Sequence, residues 1–499
     1  MRDPRWYPHA AERVDVIETH ISRVFLAGDF AYKVKKPLAL GFLDFSTLAA
    51  RRACCEQELR LNRRTAPDIY LDVVPITGST AAPRVAGNGE AIEYAVRMRR
   101  FPQEALASAI AQRGVLGGAE VDALAGMVAA FHAAVPAAGS DAPFGTPARV
   151  SAPALENFDQ VEALVAAAAD IERLERLRAW TRDACRALAE TFAARKRDGF
   201  VRECHGDLHL GNIAFIEGRP VAFDCIEFND DFRWIDVMNE AAFLFMDLHE
   251  RRFGPLAWRF LNGYLERTGD YDGMRVLRYY LVYRAMVRAK VDCIRGRQPG
   301  LDASARAGVE REYGEYLALA ESFTTMSRPA VILMHGVSGS GKTTVAGALA
   351  GRIGAVMVRS DVERKRLHGL EAGARTGAAP DAGIYGPDAN RATYERLRGI
   401  AGVIAGTGFP VIVDAAFLRR ADRKAFRELA HESGVPFGIV SCDAAESVLR
   451  ERILLRDARG GDASEAGFSV LQRQLAIREP LDADERARLL PPGAEAASA

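Results

Sequence analysis

Short runs of alternating apolar and polar residues fill the first hundred positions. Val24-Phe25-Leu26-Ala27 and Phe30-Ala31-Tyr32-Lys33-Val34-Lys35 flank Gly28-Asp29, which predicts a hairpin. Leu48 to Arg64 has helical spacing. Leu71–Ile76 and Ala91–Met98 read as strands joined through a turn at Gly87-Asn88-Gly89. After Phe101-Pro102 the period changes to that of helices, as in Val121–Ala134 and Ile171–Arg195. The Ala/Gly/Pro-rich stretches near 135–155 and 370–390 read as loops. A boundary falls at Thr324–Pro329, and Ala330–His335 is an apolar run of the kind that forms a buried parallel strand. Similar runs at 355–359, 410–414 and 436–441 alternate with helical segments, which predicts a parallel sheet covered on both faces. The expected organisation is an α+β N-terminal domain over 1–325, with a small lobe of about 1–100 and a helical lobe of about 101–325. An α/β domain over 329–490 and a flexible tail at 491–499 follow.

Composition narrows the function classes without naming one. Among 499 residues, 66 Lys+Arg balance 66 Asp+Glu, so no basic excess advertises nucleic acid. Hydrophobic residues make up 49%, enough for ordinary cores. No apolar run approaches the roughly 18–20 residues that cross a bilayer, and Met1–Trp6 lacks the apolar segment of a signal peptide. Seven cysteines, Cys54-Cys55 adjacent and the other five scattered, with no C-x-x-C pair, point to free thiols and a cytoplasmic location.

Gly336-Val337-Ser338-Gly339-Ser340-Gly341-Lys342-Thr343 fits G-x-x-x-x-G-K-[ST] between an apolar strand and a helix beginning near Thr344. Gly336, Gly339 and Gly341 let the loop curl so that its N–H groups, Ser340's among them, face phosphates. The helix N-terminus at Thr344 favours the same anion, Lys342 reaches the β/γ-phosphates, and Thr343 would ligand Mg²⁺. Asp414, ending the strand Val411-Ile412-Val413, is read as a second magnesium-side carboxylate or a helix cap. With Asp361 and Arg364 in a D-x-x-R pattern after the second strand, this half resembles small P-loop kinases such as polynucleotide 5′-kinases, gluconate-kinase-like enzymes and zeta toxins. The resemblance implies that Asp361 takes the acceptor proton and Arg364 holds the acceptor, although Ser360 or Asp361 could simply cap a helix. It also implies a lid in which Arg452, Arg456 and Arg459, on one helix face, stabilise the moving phosphoryl group. A solvated basic face is the plainer alternative.

Cys204-His205-Gly206-Asp207-Leu208-His209-Leu210-Gly211-Asn212 carries H-x-D-x4-N. This pattern resembles the catalytic loop of the protein-kinase-like fold, in the form found in aminoglycoside phosphotransferases and choline kinases. The resemblance implies Asp207 facing the acceptor hydroxyl, and Asn212 and Asp224 as Mg²⁺ ligands, with Glu227 off the usual spacing. It also places an ATP-side lysine on a small-lobe strand: Lys33 in Ala31-Tyr32-Lys33, with Lys35 the same-face alternative, paired with Glu58 or secondarily Glu56. Arg97–Phe101 would be the hinge passing the adenine. No G-x-G-x-x-G loop is present. Asp236 would brace the loop or cap a helix. Zinc at Cys204, His205 and His209 is set aside because no second Cys/His cluster completes a site.

The two halves in this order resemble a bacterial group of fusion proteins labelled as an aminoglycoside phosphotransferase joined to an ATP-binding domain. The resemblance implies an ATP-dependent kinase acting on a small-molecule hydroxyl, with two nucleotide sites and no membrane partner. Arg284, Arg288, Arg295 and Lys290 lie on the predicted helix Tyr279–Arg295; they form an ordinary basic surface or, alternatively, point away from a polycationic acceptor and towards an anionic or neutral one. Two alternatives stand beside this reading: one half serves as an ATP sensor for the other, or the C-terminal half phosphorylates nucleic-acid ends.

Overall fold

The computed structural model describes every residue but 41–42, 166, 298–300, 326–327, 378–381, 460–462 and 492–499. Part of the boundary at 324–329, part of the 370–390 stretch and nearly all of the 491–499 tail therefore lie outside the described residues. The chain forms two compact units: Met1–Glu156 with Cys185–Asp247, and Asn157–Ala184 with Leu248–Ala499.

In the first unit, period-two patterning builds a six-stranded antiparallel sheet. Its strands are β1 (Val14–Glu18), β2 (Ser22–Ala27), β3 (Phe30–Lys35), β4 (Tyr70–Gly78), β5 (Pro83–Val85) and β6 (Ala91–Arg99), in the order β1-β2-β3-β6-β4-β5. Gly28, at φ +55°, makes the two-residue turn between β2 and β3. Phe25, Tyr32, Val74, Ile76 and Ala95 bury one face of the sheet. On the other face Lys33 stands opposite Val96, and Val96 packs with Cys55 of the helix Leu48–Asn62. Thr47 starts that helix by accepting the Ala50 N–H at 3.1 Å. Further along, β7 (Val201–Glu203) pairs with β10 (Trp234–Asp236). Between them runs the hairpin of β8 (Ile213–Ile216) and β9 (Arg219–Ala222), turning on Glu217 and Gly218 at φ +50° and +76°. The helix Val237–Glu250 follows.

Two expectations need correction and a third is refined. The connection expected to turn at 87–89 first adds β5. The stretch 135–155, read as loop, is helical from Pro147 in Pro147–Glu162. Proline suits a first helical position, and Ala154, Phe158 and Val161 recur four and three residues apart and are buried. The stretch Ile171–Arg195, read only as helical in spacing, is divided between two helices, Ala168–Ala187 and Ala189–Arg197, parting at Leu188 where ψ is 2°.

The second unit holds the helices Gly254–Thr268, Met274–Gly296 and Ala303–Thr325, followed by four parallel strands. These are β11 (Val331–His335), β12 (Val356–Arg359), β13 (Val411–Asp414) and β14 (Phe437–Ser441), ordered β12-β13-β11-β14. The central strands β11 and β13 are buried along their whole length. Ile332, Met334 and Ile412 pack on Ala346, Leu349 and Ala350 of the helix Lys342–Ile353. The α+β reading of the N-terminal half and the parallel α/β reading of the C-terminal half both hold.

Candidate active sites

The first site starts from strand alternation. Lys33 and Lys35 share the face of β3 that looks towards Glu58. Lys33 Nζ lies 2.8 Å from Glu58 Oε1 and also pairs with Asp224, 191 residues away in sequence. Lys35 Nζ lies 2.5 Å from Glu58 Oε2 and pairs with Glu227. Glu56, the secondary candidate, is exposed and pairs with Arg52 at 2.8 Å. Burial pulls the Lys33 ammonium down, but Asp224 and Glu58 outweigh it and hold its pKa well above the ordinary lysine value. Burial likewise opposes ionisation of Glu58, yet Lys33 and Lys35 hold it at about 2. Lys33, Lys35, Glu58 and Glu227 are all buried, so the charges are tightly paired.

The β8–β9 hairpin sets the next group. Phe223 N donates to Asn212 O at 2.9 Å, which brings Asn212 beside the residue preceding Asp224. Asp224 is left-handed at φ +65°, a conformation that costs a non-glycine residue about 1 kcal/mol. Its amide donates to Tyr70 Oη at 3.1 Å, and the next amide, Cys225, donates to Asn62 Oδ1 at 2.9 Å. Asn212 Nδ2 donates to Asp207 Oδ2 at 2.9 Å and to Asp207 O at 3.0 Å. His209 Nδ1 accepts the Gly211 N–H at 3.0 Å, so a neutral ring carries its proton on Nε2, 3.5 Å from Asp207 Oδ2. Asn212 keeps Oδ1 as an acceptor, and with the Asp224 carboxylate this is an oxygen donor set that fits Mg²⁺.

Two residues that local sequence did not single out, Glu240 and Asp247, hold this loop together with the motif's His205. Glu240, fully buried, accepts Gly206 N at 2.6 Å and faces His132 Nε2 at 3.0 Å. Burial opposes its ionisation, but His132, His205 and the Gly206 amide keep its pKa at about 2. Asp247 accepts Leu210 N at 2.8 Å, and His205 Nε2 donates to Phe223 O at 2.9 Å. Glu240 and Asp247 interrupt an apolar helix, and that interruption was the available signal. Asp236 pairs with Arg195 at 2.6 Å and accepts Met238 N at 2.8 Å, so it caps the helix Val237–Glu250. Arg97 pairs with Asp72 at 2.6 Å, and the Phe101 ring lies 5.2 Å from that of Phe223.

The second site lies at the carboxyl ends of β11 and β13. Gly336 is at φ +143°, and a Cβ there would stand 2.2 Å from Cys442 O. Gly339 and Gly341 are left-handed at +81° and +92°. The Ser340 hydroxyl is buried with no hydrogen-bond partner among the described residues, and Thr344 is exposed on the first turn of the helix Lys342–Ile353. Lys342 Nζ donates to Val337 O at 2.8 Å. Burial lowers its pKa, with Asp414 and Asp361 opposing. Thr343 Oγ1 donates to Asp414 Oδ2 at 2.7 Å, and burial raises the Asp414 pKa. Hydroxyl and carboxylate oxygens side by side fit Mg²⁺ here too.

Asp361 sits in the first turn of the helix Ser360–Leu367. Arg364, one turn on, is buried, donates to Ile384 O at 3.0 Å and lies 5.2 Å over the Tyr385 ring. On the helix Glu446–Arg459, Arg452 Nη1 donates to Gly339 O at 3.3 Å, and Arg456 Nη2 donates to Ala466 O at 2.5 Å. The Arg459 side chain lies outside the described residues. Gln474, which no motif marks, accepts Ser338 N at 2.7 Å. At the end of β11 is a hollow of about 410 Å³ lined by His335, Ser441, Asp443, Arg478 and Leu489 among others. The helix arginines Arg284 and Arg288 lie over the Tyr283 and Tyr316 rings at 5.4 and 5.5 Å. Among the described residues no helix is long and apolar enough to cross a membrane.

Comparison with known proteins matches the two candidate sites to two different families. The phosphotransferase enzyme family matches residues 51–277 and the AAA domain family matches 331–481. Uncharacterized proteins of Mycobacterium tuberculosis and Mycobacterium bovis are 30% identical over 467 residues, covering 92% of this chain and 90% of theirs. A solved sugar kinase from Janibacter sp. is 25% identical over 34% of this chain and 88% of its own, with a TM-score of 0.26. An amicoumacin kinase solved with AMP-PNP and Ca²⁺ is 14% identical over 63% of this chain and 90% of its own, with a TM-score of 0.40.

Proposed function

Because the chain belongs to the family that joins a phosphotransferase-enzyme domain to an AAA-type P-loop domain in one polypeptide, we propose that it is an ATP-dependent kinase with two nucleotide sites, each transferring a γ-phosphoryl group to a small-molecule hydroxyl. The observation that carries this reading is the convergence of Lys33, Glu58 and Asp224 from three distant segments beside the Asp207–Asn212 pair.

In the N-terminal half, Glu58 orients Lys33 towards the donor phosphates. Asp207 takes the proton of the acceptor hydroxyl as its oxygen attacks the γ-phosphorus and the bond to the β-phosphate oxygen breaks, releasing ADP. In the C-terminal half, the loop amides and Lys342 hold the phosphates, and Asp361 is the base. Arg364 holds the acceptor, and Arg452 and Arg456 offset charge on the moving group. Asn212 and Asp224 in one half, and Thr343 and Asp414 in the other, would hold Mg²⁺, which would supply neutralisation of phosphate charge.

Asp207→Asn and Asp361→Asn, made separately, test the assignment by ADP release across a panel of hydroxyl acceptors. Each should lower turnover of a distinct set of acceptors by about 100-fold or more. Unchanged turnover in both variants would refute the assignment.

A further inference from the structure

The P-loop sheet ends at β12, and an edge strand presents unpaired N–H and C=O groups. Here the helix Gly254–Thr268 meets them. Asn262 Nδ2 donates to Ala355 O at 2.9 Å and Asn262 Oδ1 accepts Met357 N at 2.7 Å, so one side-chain amide pairs with the edge as a neighbouring strand would. The contact is close: a Cβ on Gly354 would stand 3.0 Å from Trp258 Nε1. The Trp258 ring lies edge-on to Phe409, with centroids 5.7 Å apart. Glu266 follows Asn262 by four residues and so shares its helix face. It reaches the carboxyl end of β12, where its Oε1 lies 3.0 Å from Arg359 Nη1. Arg359 Nε is 3.9 Å from Asp414 Oδ2, the same oxygen that accepts the Thr343 hydroxyl.

We propose that Glu266 is a positioning residue for the P-loop site: it holds the Arg359 guanidinium back from Asp414, so that this carboxylate stays available to the metal of the nucleotide. The inference rests on the proposed function of that site. It gives the helical segment that precedes the P-loop domain in sequence a direct hand in the second active site. Groups behind metal ligands typically tune metal affinity by 10–100-fold, and the expected effect lies at the lower end because Arg359 already stands near Asp414.

The test uses the full chain carrying Asp224→Asn, which silences the first metal site, and titrates Mg²⁺ calorimetrically in the presence of AMP-PNP. Glu266→Gln should weaken apparent Mg²⁺ affinity about tenfold. Adding Arg359→Gln to it should restore the affinity to within about threefold of the parent, because the competing cation is gone. A general loosening of the helix would not be repaired by that second change. If Glu266→Gln lowers the melting temperature, Arg359→Gln alone decides: equal or tighter Mg²⁺ binding supports the proposal and weaker binding overturns it. A Glu266→Gln titration superimposable on the parent overturns it as well, while the function proposed for the site stands. Failure of the parent to bind AMP-PNP with Mg²⁺ overturns both.

Discussion

Two lysines two positions apart on one strand have separable jobs. Lys33 pairs with fully buried Glu58 and with Asp224, whose side chain is 43% exposed, whereas Lys35 is enclosed between Glu58 and Glu227. Removing one partner of a buried pair costs about 3–5 kcal/mol because the other charge is stranded. Lys35→Met should therefore give the larger fall in thermal stability. Lys33→Met should leave stability closer to the parent, since Lys35 still holds Glu58, and should abolish turnover by the N-terminal half. Thermal melts read beside ADP release check the pair, and equal stability losses would contradict the division of labour. The A-x-K pattern makes Lys33 visible in sequence, and Lys35 follows from strand alternation. Glu240, Asp247, Gln474, Glu266 and Arg359 are not visible in this way. Each acts on a partner far along the chain, and no local pattern encodes that distance.

At the level of elements, legibility follows burial. The strands β11 to β14 are apolar runs bounded by turn residues, and all four lie within a residue or two of their expected positions. The misread stretch at 147–155 fails for an equally physical reason. Alanine and proline suit a helix start as well as a loop, and the buried stripe through Phe158 and Val161 decides between them. Sequence could not show that the edge of β12 is closed by a single amide. Asn262→Ala would leave Ala355 O and Met357 N unpaired, at about 1–3 kcal/mol for each buried group. The Met357 amide should then exchange with deuterium at least tenfold faster than in the parent, while amides of β11 change little. Unchanged protection at Met357 would show that the edge is sealed by something other than Asn262.

For the molecule as a whole, similarity and compactness draw different lines. Family likeness begins again at residue 331, whereas the compact unit holding the P-loop sheet already includes Leu248–Thr325. A fragment of residues 329–499 would bare the Phe409 ring and the outer edge of β12, the kind of edge that recruits other chains. It should aggregate or melt well below a fragment of residues 248–499. Size-exclusion chromatography and thermal melts of the two fragments distinguish these outcomes, and a soluble, equally stable short fragment would contradict this account.

Asn262 and the strand group it meets are 93 residues apart, with the asparagine made first. At about 5–20 residues per second of synthesis, the amide leaves the ribosome some 5–20 seconds before Ala355 does. The nascent sheet is born facing its cover, and its most adhesive border need never be bare in a crowded cell.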